Sequence, residues 1–112
     1  MLQGDMIAYQ TNSWPELSFV NRYTDETLTG IVTNITATYV PNLTLSTTTA
    51  CCSDHQAFFE NGYASAGFVE AGGYTIDPEY HRVGDLTERD GYSFEQVKKN
   101  NNNNKIFFLF GF

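Results

Sequence analysis

The sequence predicts an α/β domain in which helices pack on a largely parallel sheet. Extended apolar segments alternate along the chain with segments of helical period, and this alternation is typical of an α/β sandwich. The 112 residues, of which 41% are hydrophobic and 15% aromatic, are enough for one domain with a moderate core. We therefore expect helices packed on the faces of a single sheet.

The chain opens with extended segments. Residues 5–9 have the pattern of the end of a buried strand. Residues 12–17 contain a Ser-Trp-Pro sequence that is typical of a loop, and residues 17–20 resume an extended apolar pattern. Two strands are thus expected before the first helix.

A helical period begins near Thr24. Apolar residues recur at i, i+3, i+4, i+7 and i+11, which places on one helix face Leu28, Ile31, Val32, Ile35 and Tyr39. Thr24 or Asp25 is expected to cap this helix, because a side-chain oxygen there can accept a hydrogen bond from an unpaired N–H group. Pro41 is expected to end it.

The second half of the chain is predicted to contain a short strand, a helix and another strand. Residues 43–46 have a strand pattern, and residues 47–50 form a loop. The helix is entered through Ser53 and closed at Gly62, since Gly accepts the left-handed backbone that ends a helix. A small apolar strand follows, and a Gly-rich loop delivers His81 to one end of it.

We assign residues 1–98 to the domain and residues 99–112 to a tail. Ser93 can cap a final helix, but the asparagine run at 100–104 has no apolar surface to bury and is expected to be disordered. Codons for Asn, Lys, Ile and Phe are A/T-rich. We therefore interpret the tail as translated non-coding sequence, and expect a splice junction near Lys98.

Charge and hydropathy exclude two classes of partner. The net charge is −7 and the pI is near 4.5, and the six Lys and Arg residues are too scattered to form a basic face for nucleic acid. No apolar stretch reaches the roughly 18 to 20 residues that a membrane span needs. Residues 1–5 lack the basic start and apolar run of a signal peptide, so we expect either no export or an N-terminus that lies upstream.

Two cues on cellular compartment disagree. Cys51 and Cys52 are adjacent, and neighbours in sequence can pair only through a strained eight-membered ring, so reduced thiols are expected. N-glycosylation sequons begin at Asn34 and Asn42 and favour the secretory route, although such tripeptides are common in Thr-rich segments. Because of the sequons, we expect a glycoprotein that is either secreted or located in the lumen of a secretory or lysosomal compartment.

Polar residues meet the ends of the predicted strands. Asp5, Glu70 and His81 fall where ligands of parallel α/β sheets bind, outside the carboxyl ends of strands. Oxygen and imidazole ligands suit zinc, which polarises carbonyl groups and acidifies bound water. Taken singly, Asp5 also fits a solvated or capping carboxylate and His81 a structural residue. His55, inside the second helix, is predicted to be a packing residue or a support for a metal ligand.

The second half of the chain resembles a known family. The residues that carry the resemblance are, in order, Cys52-Ser53-Asp54-His55, Asn61-Gly62-Tyr63, Ala66, Glu70, Asp77-Pro78, His81 and Asp85. Their order and spacing resemble the C-terminal part of secreted bacterial and fungal leucyl aminopeptidases, metallopeptidases with two co-catalytic zinc ions (family twenty-eight), a family that also contains glutaminyl cyclases. The likeness spans residues 4–97. It implies the C-terminal half of a zinc exopeptidase fold, a partial three-layer α/β/α sandwich with a mostly parallel sheet.

The resemblance also implies roles. Asp5 would bind one zinc ion and His81 the other, with Asp54 or Asp85 orienting the His81 ring. A pocket for the first side chain of a peptide substrate would be lined by Met6, Val20, Cys52, Val69, Ile76 and Tyr80; without the resemblance these are ordinary core residues. The family's other ligands and its general base lie in a missing N-terminal half of the same domain, so the isolated chain is expected to be inactive.

Some positions depart from the family pattern. The bacterial members have a disulfide partner where Thr48 stands, so the bridge is expected to be absent or shifted to Cys51. Ala64 replaces a Pro, and Gly67 and Gly73 replace larger pocket residues, which leaves the substrate preference open. Three alternatives to the aminopeptidase remain: a glutaminyl cyclase-like protein, a non-catalytic relative, and a fragment without function.

Overall fold

The computed structural model describes residues 1–9, 16–70, 72 and 76–93 of the chain. The elements within those ranges are β1 (Leu2–Asp5), β2 (Glu16–Val20), α1 (Glu26–Tyr39), β3 (Thr44–Thr48), α2 (Asp54–Glu60) and β4 (Ala66–Glu70). The predicted helix capped by Ser93, the tail 99–112 and Gly73 lie outside the described residues. Neither described helix has the length and apolar character that crossing a bilayer requires.

The four strands form one sheet in the order β1-β4-β2-β3. β1 runs parallel to β4, and β2 runs parallel to β3, while β2 and β4 are antiparallel. The predicted α/β class with a mostly parallel sheet is therefore confirmed. Because β1 and β4 share a direction, Asp5 and Glu70 end their strands at the same edge of the sheet, which we call the pocket edge.

One face of the sheet packs against α1. The buried cluster on this face, which we call the α1-face core, consists of Leu17, Phe19, Val32, Leu43 and Phe68. The rings of Phe19 and Phe68 meet edge to face with centroids 6.3 Å apart, a favourable aromatic geometry. Gly4 lies under Phe68, where an added Cβ would fall 2.7 Å from the ring, so β1 approaches closely only because this residue has no side chain.

The other face of the sheet packs against α2. Successive residues of a strand point to opposite faces, so Gly67 points away from Phe68 and lies beside His55 of α2. Val20 and Val69 are buried on this face, with Met6, Ala50 and Tyr80 packed against them. Helices on both faces give the three-layer arrangement.

α1 begins and ends as predicted but buries a different face. Asp25 is the N-cap, and its Oδ1 accepts the Leu28 N–H at 2.7 Å. The buried residues are Val32 and Thr36, whereas Ile31 is 51% and Tyr39 46% exposed, so the predicted apolar face is wrong at those two positions. Thr36 can be buried because its hydroxyl donates to the Val32 carbonyl oxygen at 2.8 Å.

Strand boundaries also differ from the sequence prediction. β1 ends at Asp5, where residues 5–9 were expected to continue the strand, because Met6 has φ +50° and turns the chain out of it. β3 begins one residue later than predicted and runs to Thr48. α2 has Ser53 as N-cap, and Gly62, with φ +81°, closes it as predicted.

Candidate functional site

A pocket of about 590 Å³ opens at the pocket edge of the sheet. Its lining comes from the last residue of β1 and the chain after it (residues 5–9), the entry to α2 (residues 52–54), Glu70 at the end of β4, and the loop that spans residues 77–92. The site therefore sits where two parallel strands end, as expected for an α/β sheet.

Most of the predicted site residues lie together in this pocket. Those that line it are Asp5, Met6, Cys52, Asp54, Tyr80, His81 and Asp85. Val20 and Val69, each 1% exposed, lie in the core beneath it, and Ile76 lies outside the lining. The structure thus brings together both predicted metal ligands and both predicted supporting carboxylates, while the roles of all these residues stay predictions.

Asp5 is tied to the start of α2 through side chains. Its Oδ2 accepts the Ser53 hydroxyl at 2.7 Å, and the Ser53 Oγ in turn accepts Gln3 Nε2 at 2.5 Å. Ser53 makes no capping bond of its own. Instead Gln3 Oε1 accepts the His55 N–H at 2.7 Å, so the unpaired helix donor is satisfied from β1. This arrangement holds the Asp5 carboxylate against the helix N-terminus.

His55 is a packing residue, which is one of its two predicted roles. It is 1% exposed. Its Nδ1 lies 3.0 Å from Gln3 Oε1, and its Nε2 lies 3.2 Å from the Arg22 carbonyl oxygen. Both ring nitrogens therefore have partners inside the fold, and the ring fills the space above Gly67. This explains the glycine at 67, since an added Cβ would lie 3.2 Å from the His55 ring.

His81 is presented by the loop that follows β4. Its backbone is in the left-handed region, with φ +57°, and its ring stacks on Tyr80 with centroids 3.8 Å apart. Asp85, one of the two carboxylates predicted to orient this ring, accepts a hydrogen bond from Arg89 Nη2 at 3.1 Å. Asp54, the other, opens the first turn of α2.

One carboxyl group in the pocket lining is almost fully buried. Glu70 is 2% exposed, and its Oε2 accepts the Tyr9 N–H at 2.5 Å. The pKa of Glu70 is raised to about 8, mainly by burial and to a smaller extent by the nearby Asp77 and Asp5 carboxylates, while the Tyr9 N–H and Arg89 act in the opposite direction. The sequence placed Glu70 at a strand end but gave no sign of its burial.

Arg89 organises the loop that carries His81. Its guanidinium bonds Asp77 and Asp85 and lies over the rings of Tyr9 and Tyr92, 5.3 and 5.6 Å from their centroids. Although burial opposes ionisation of Asp77, the hydrogen bonds from Arg89 and from the Glu79 N–H lower the pKa of this carboxyl group below its usual value. Sequence reasoning missed Arg89, because an arginine in a loop has no periodic pattern.

The described side chains do not complete a zinc site. Among residues 1–9, 16–70, 72 and 76–93, no three His, Cys, Asp or Glu groups are placed to share a metal ion. A catalytic zinc ion usually takes three protein ligands and a water. Asp5 and His81 would each supply only one ligand to such a centre, so the described side chains do not form a complete zinc site.

The prediction of reduced thiols is wrong. Cys51 and Cys52 form a disulfide, and their Cα atoms are 3.6 Å apart. The adjacent residues can pair because Cys52 takes φ +85°, a backbone region that no pattern in the sequence indicates. The bridge is thus shifted to Cys51, one of the two outcomes that the departure at Thr48 allowed.

The chain is similar to known proteins in structure, although it matches no family profile. A crystal structure of LapA from Legionella pneumophila superposes with a TM-score of 0.78 at 22% identity, covering 88% of this chain. A second structure, of the LapA aminopeptidase, gives a TM-score of 0.74 at 21% identity and covers 89% of this chain.

The chain has an aminopeptidase-like fold. It spans 28% of the length of each LapA chain, so it corresponds to part of that fold. The predicted resemblance is confirmed at the level of the fold, and identities of 21 and 22% carry it no further.

Proposed function

We propose that this chain is the C-terminal portion of a metallopeptidase domain that removes N-terminal residues from peptides. Asp5 and His81 would each contribute one ligand to a two-zinc centre. The observation that supports this most directly is that these two residues, distant in sequence, line the same pocket of about 590 Å³. The pocket lies in a fold similar to that of an aminopeptidase.

The character of the pocket supports a peptide N-terminus as ligand. Among the described lining residues, carboxylates outnumber the one guanidinium, that of Arg89, while the raised pKa of Glu70 keeps that side chain largely protonated at neutral pH. These carboxylates are Asp5, Asp54, Asp77 and Asp85. A positively charged α-ammonium group is complementary to such a lining. Met6, Ile7 and Ala8 add apolar surface, which suits a hydrophobic first side chain.

We assign no reaction step to the isolated chain. The described donor set does not complete a zinc site, and the general base that the family resemblance implies is not among these residues. The remaining ligands and the base are proposed to come from a part of the domain outside this chain. The isolated chain is therefore proposed to bind a peptide N-terminus weakly and to hydrolyse nothing.

We also propose that the protein follows the secretory route. The Cys51–Cys52 disulfide supports this, because disulfides persist mainly in oxidising compartments. The sequon residues Asn34 and Asn42 are both exposed, as glycosylation requires.

A titration of the full chain with the dipeptide Leu-Ala, with and without zinc, tests the site. Amide resonances of residues 5–9 and 79–82 are expected to shift, and N-acetylated Leu-Ala, which lacks the ammonium group, should shift them about tenfold less at equal concentration. Asp5→Asn and His81→Gln should weaken the response, whereas the exposed control Glu88→Gln should not.

Two outcomes would contradict the proposal separately. Equal binding of the acetylated dipeptide, or shifts confined to the α1 face, would remove the pocket assignment. Release of leucine by the purified chain would leave the pocket assignment standing but would overturn the proposed inactivity.

A further inference from the structure

The Cys51–Cys52 disulfide lies at the rim of the pocket between two anchored positions. Before it, the Ala50 N–H donates to Thr48 Oγ1 at 3.1 Å. After it, Ser53 bonds Asp5 and Gln3, as described above. Cys52 lines the pocket and is exposed, while Cys51 is half-buried. A reagent in solution can therefore reach the bridge at Cys52.

The bridge is coupled to the backbone that positions Ser53. Cys52 has φ +85°, which L-residues avoid unless the surrounding structure imposes it. The closed ring between adjacent cysteines is such a constraint. When the ring opens, Cys52 is free to return to negative φ, and the direction of the following Ser53 changes with it.

We infer that Cys51–Cys52 is a redox modification site at which a small dithiol or monothiol reductant controls the pocket rim. In the exchange, a reductant thiolate attacks the exposed Cys52 sulfur and Cys51 leaves as a thiolate, which takes a proton. A second reductant thiolate then attacks the reductant sulfur of this mixed disulfide, and Cys52 leaves as a thiolate that takes a proton. The protein gains two thiols and two electrons, and the two reductant sulfurs become joined in a disulfide.

The consequence reaches the start of α2 and Asp5. Ser53 Oγ links Asp5 to Gln3, and Gln3 Oε1 holds the His55 N–H. Withdrawal of Ser53 removes the hydrogen bond on the Asp5 carboxylate and loosens the first turn of α2. The oxidised protein has the rim described here, and the reduced protein has a more open one.

The test follows amide hydrogen exchange in the full chain as dithiothreitol is raised. The chain contains only two cysteines, so the reductant has a single target. Alkylation and intact mass give the number of free thiols. We expect two thiols to appear together and exchange at the His55 N–H to rise at least about tenfold, with no change at Val32 in α1.

A variant separates the bridge from other effects of the reductant. Cys51→Ala/Cys52→Ala should show fast exchange at His55 with or without dithiothreitol. If this variant does not fold, the wild-type comparison decides alone. Two free thiols with unchanged exchange at His55 would overturn the inference, and so would two free thiols in the protein purified under air. Neither readout depends on the proposed peptidase role, so failure here leaves that proposal intact.

Discussion

The α1-face core and the pocket edge of the sheet are held by different forces. The α1-face core is made of five apolar side chains in mutual contact. The pocket edge is held by directional polar pairs, in which Ser53 bonds Asp5, the Tyr9 N–H bonds Glu70, and Arg89 bonds Asp77. Apolar burial depends on area and tolerates many arrangements, whereas each polar pair needs one particular partner.

This difference decides what a mutation does in each region. Truncating a core side chain leaves a cavity, and its cost scales with the volume lost. At the pocket edge, the cost depends on whether the remaining partner is left buried and unpaired. The following predictions test the two regions against each other.

Phe19→Ala is expected to have the largest effect. Phe19 is 2% exposed and packs edge to face on Phe68, so its removal should lower the free energy of unfolding by about 3–5 kcal/mol. Urea unfolding followed by circular dichroism measures the change.

Phe58→Ala is the matched control. Phe58 is 45% exposed and meets Tyr63 in a similar edge-to-face geometry, so the same truncation should cost about 1 kcal/mol at most. Equal losses for the two variants would show that the α1-face core does not dominate the stability of the fold.

The fold was largely predictable because the spacing of apolar residues along the sequence reflects which side chains are buried. The interval from Leu28 to Val32 identified α1, and the alternation of elements identified the sheet. The prediction failed at Thr36, because a hydroxyl satisfied by its own helix is as buried as an apolar residue yet looks polar in sequence. It failed again after Asp5, because no pattern announces the positive φ of Met6.

The candidate site was predictable only in part. Asp5 and His81 were found through the resemblance, and the structure places both in one pocket. The partners that hold them were not found. Gln3 reaches α2 from β1, and Arg89 acts across the loop, so each contact joins residues whose spacing has no local period. The vicinal disulfide was missed for the related reason that it depends on one backbone angle.

Glu70→Gln should have the next largest effect and should depend on pH. The pKa of Glu70 is raised from 4.5 to about 8 in the folded protein, so the folded state retains a proton that the unfolded state releases. Stability in the wild type therefore falls as pH rises from about 4.5 to 8. The glutamine carbonyl oxygen can still accept the Tyr9 N–H, and it does not ionise.

Urea unfolding at pH 5 and pH 8 measures this prediction. The two proteins should be similar at pH 5, and at pH 8 the variant should be more stable by about tenfold or more in the unfolding equilibrium constant. If the stability difference between the two proteins were the same at pH 5 and pH 8, Glu70 would not titrate between these limits. Any pH dependence of stability at the pocket edge would then have to come from another buried group.

The smallest effects should distinguish the starts of the two helices. Asp25 caps α1 with its own side chain, so Asp25→Ala should lower stability by about 1 kcal/mol. Ser53 is the N-cap of α2 but makes no capping bond, because its hydroxyl is turned to Asp5. Ser53→Ala should therefore cost less stability, but it removes the hydroxyl that accepts Gln3 Nε2, so exchange of the His55 N–H should rise. Exchange of the Leu28 N–H should likewise rise in Asp25→Ala. Unchanged protection at His55 in Ser53→Ala would mean that Gln3 holds the His55 N–H without help from Ser53, and that the pocket edge and the start of α2 are independent.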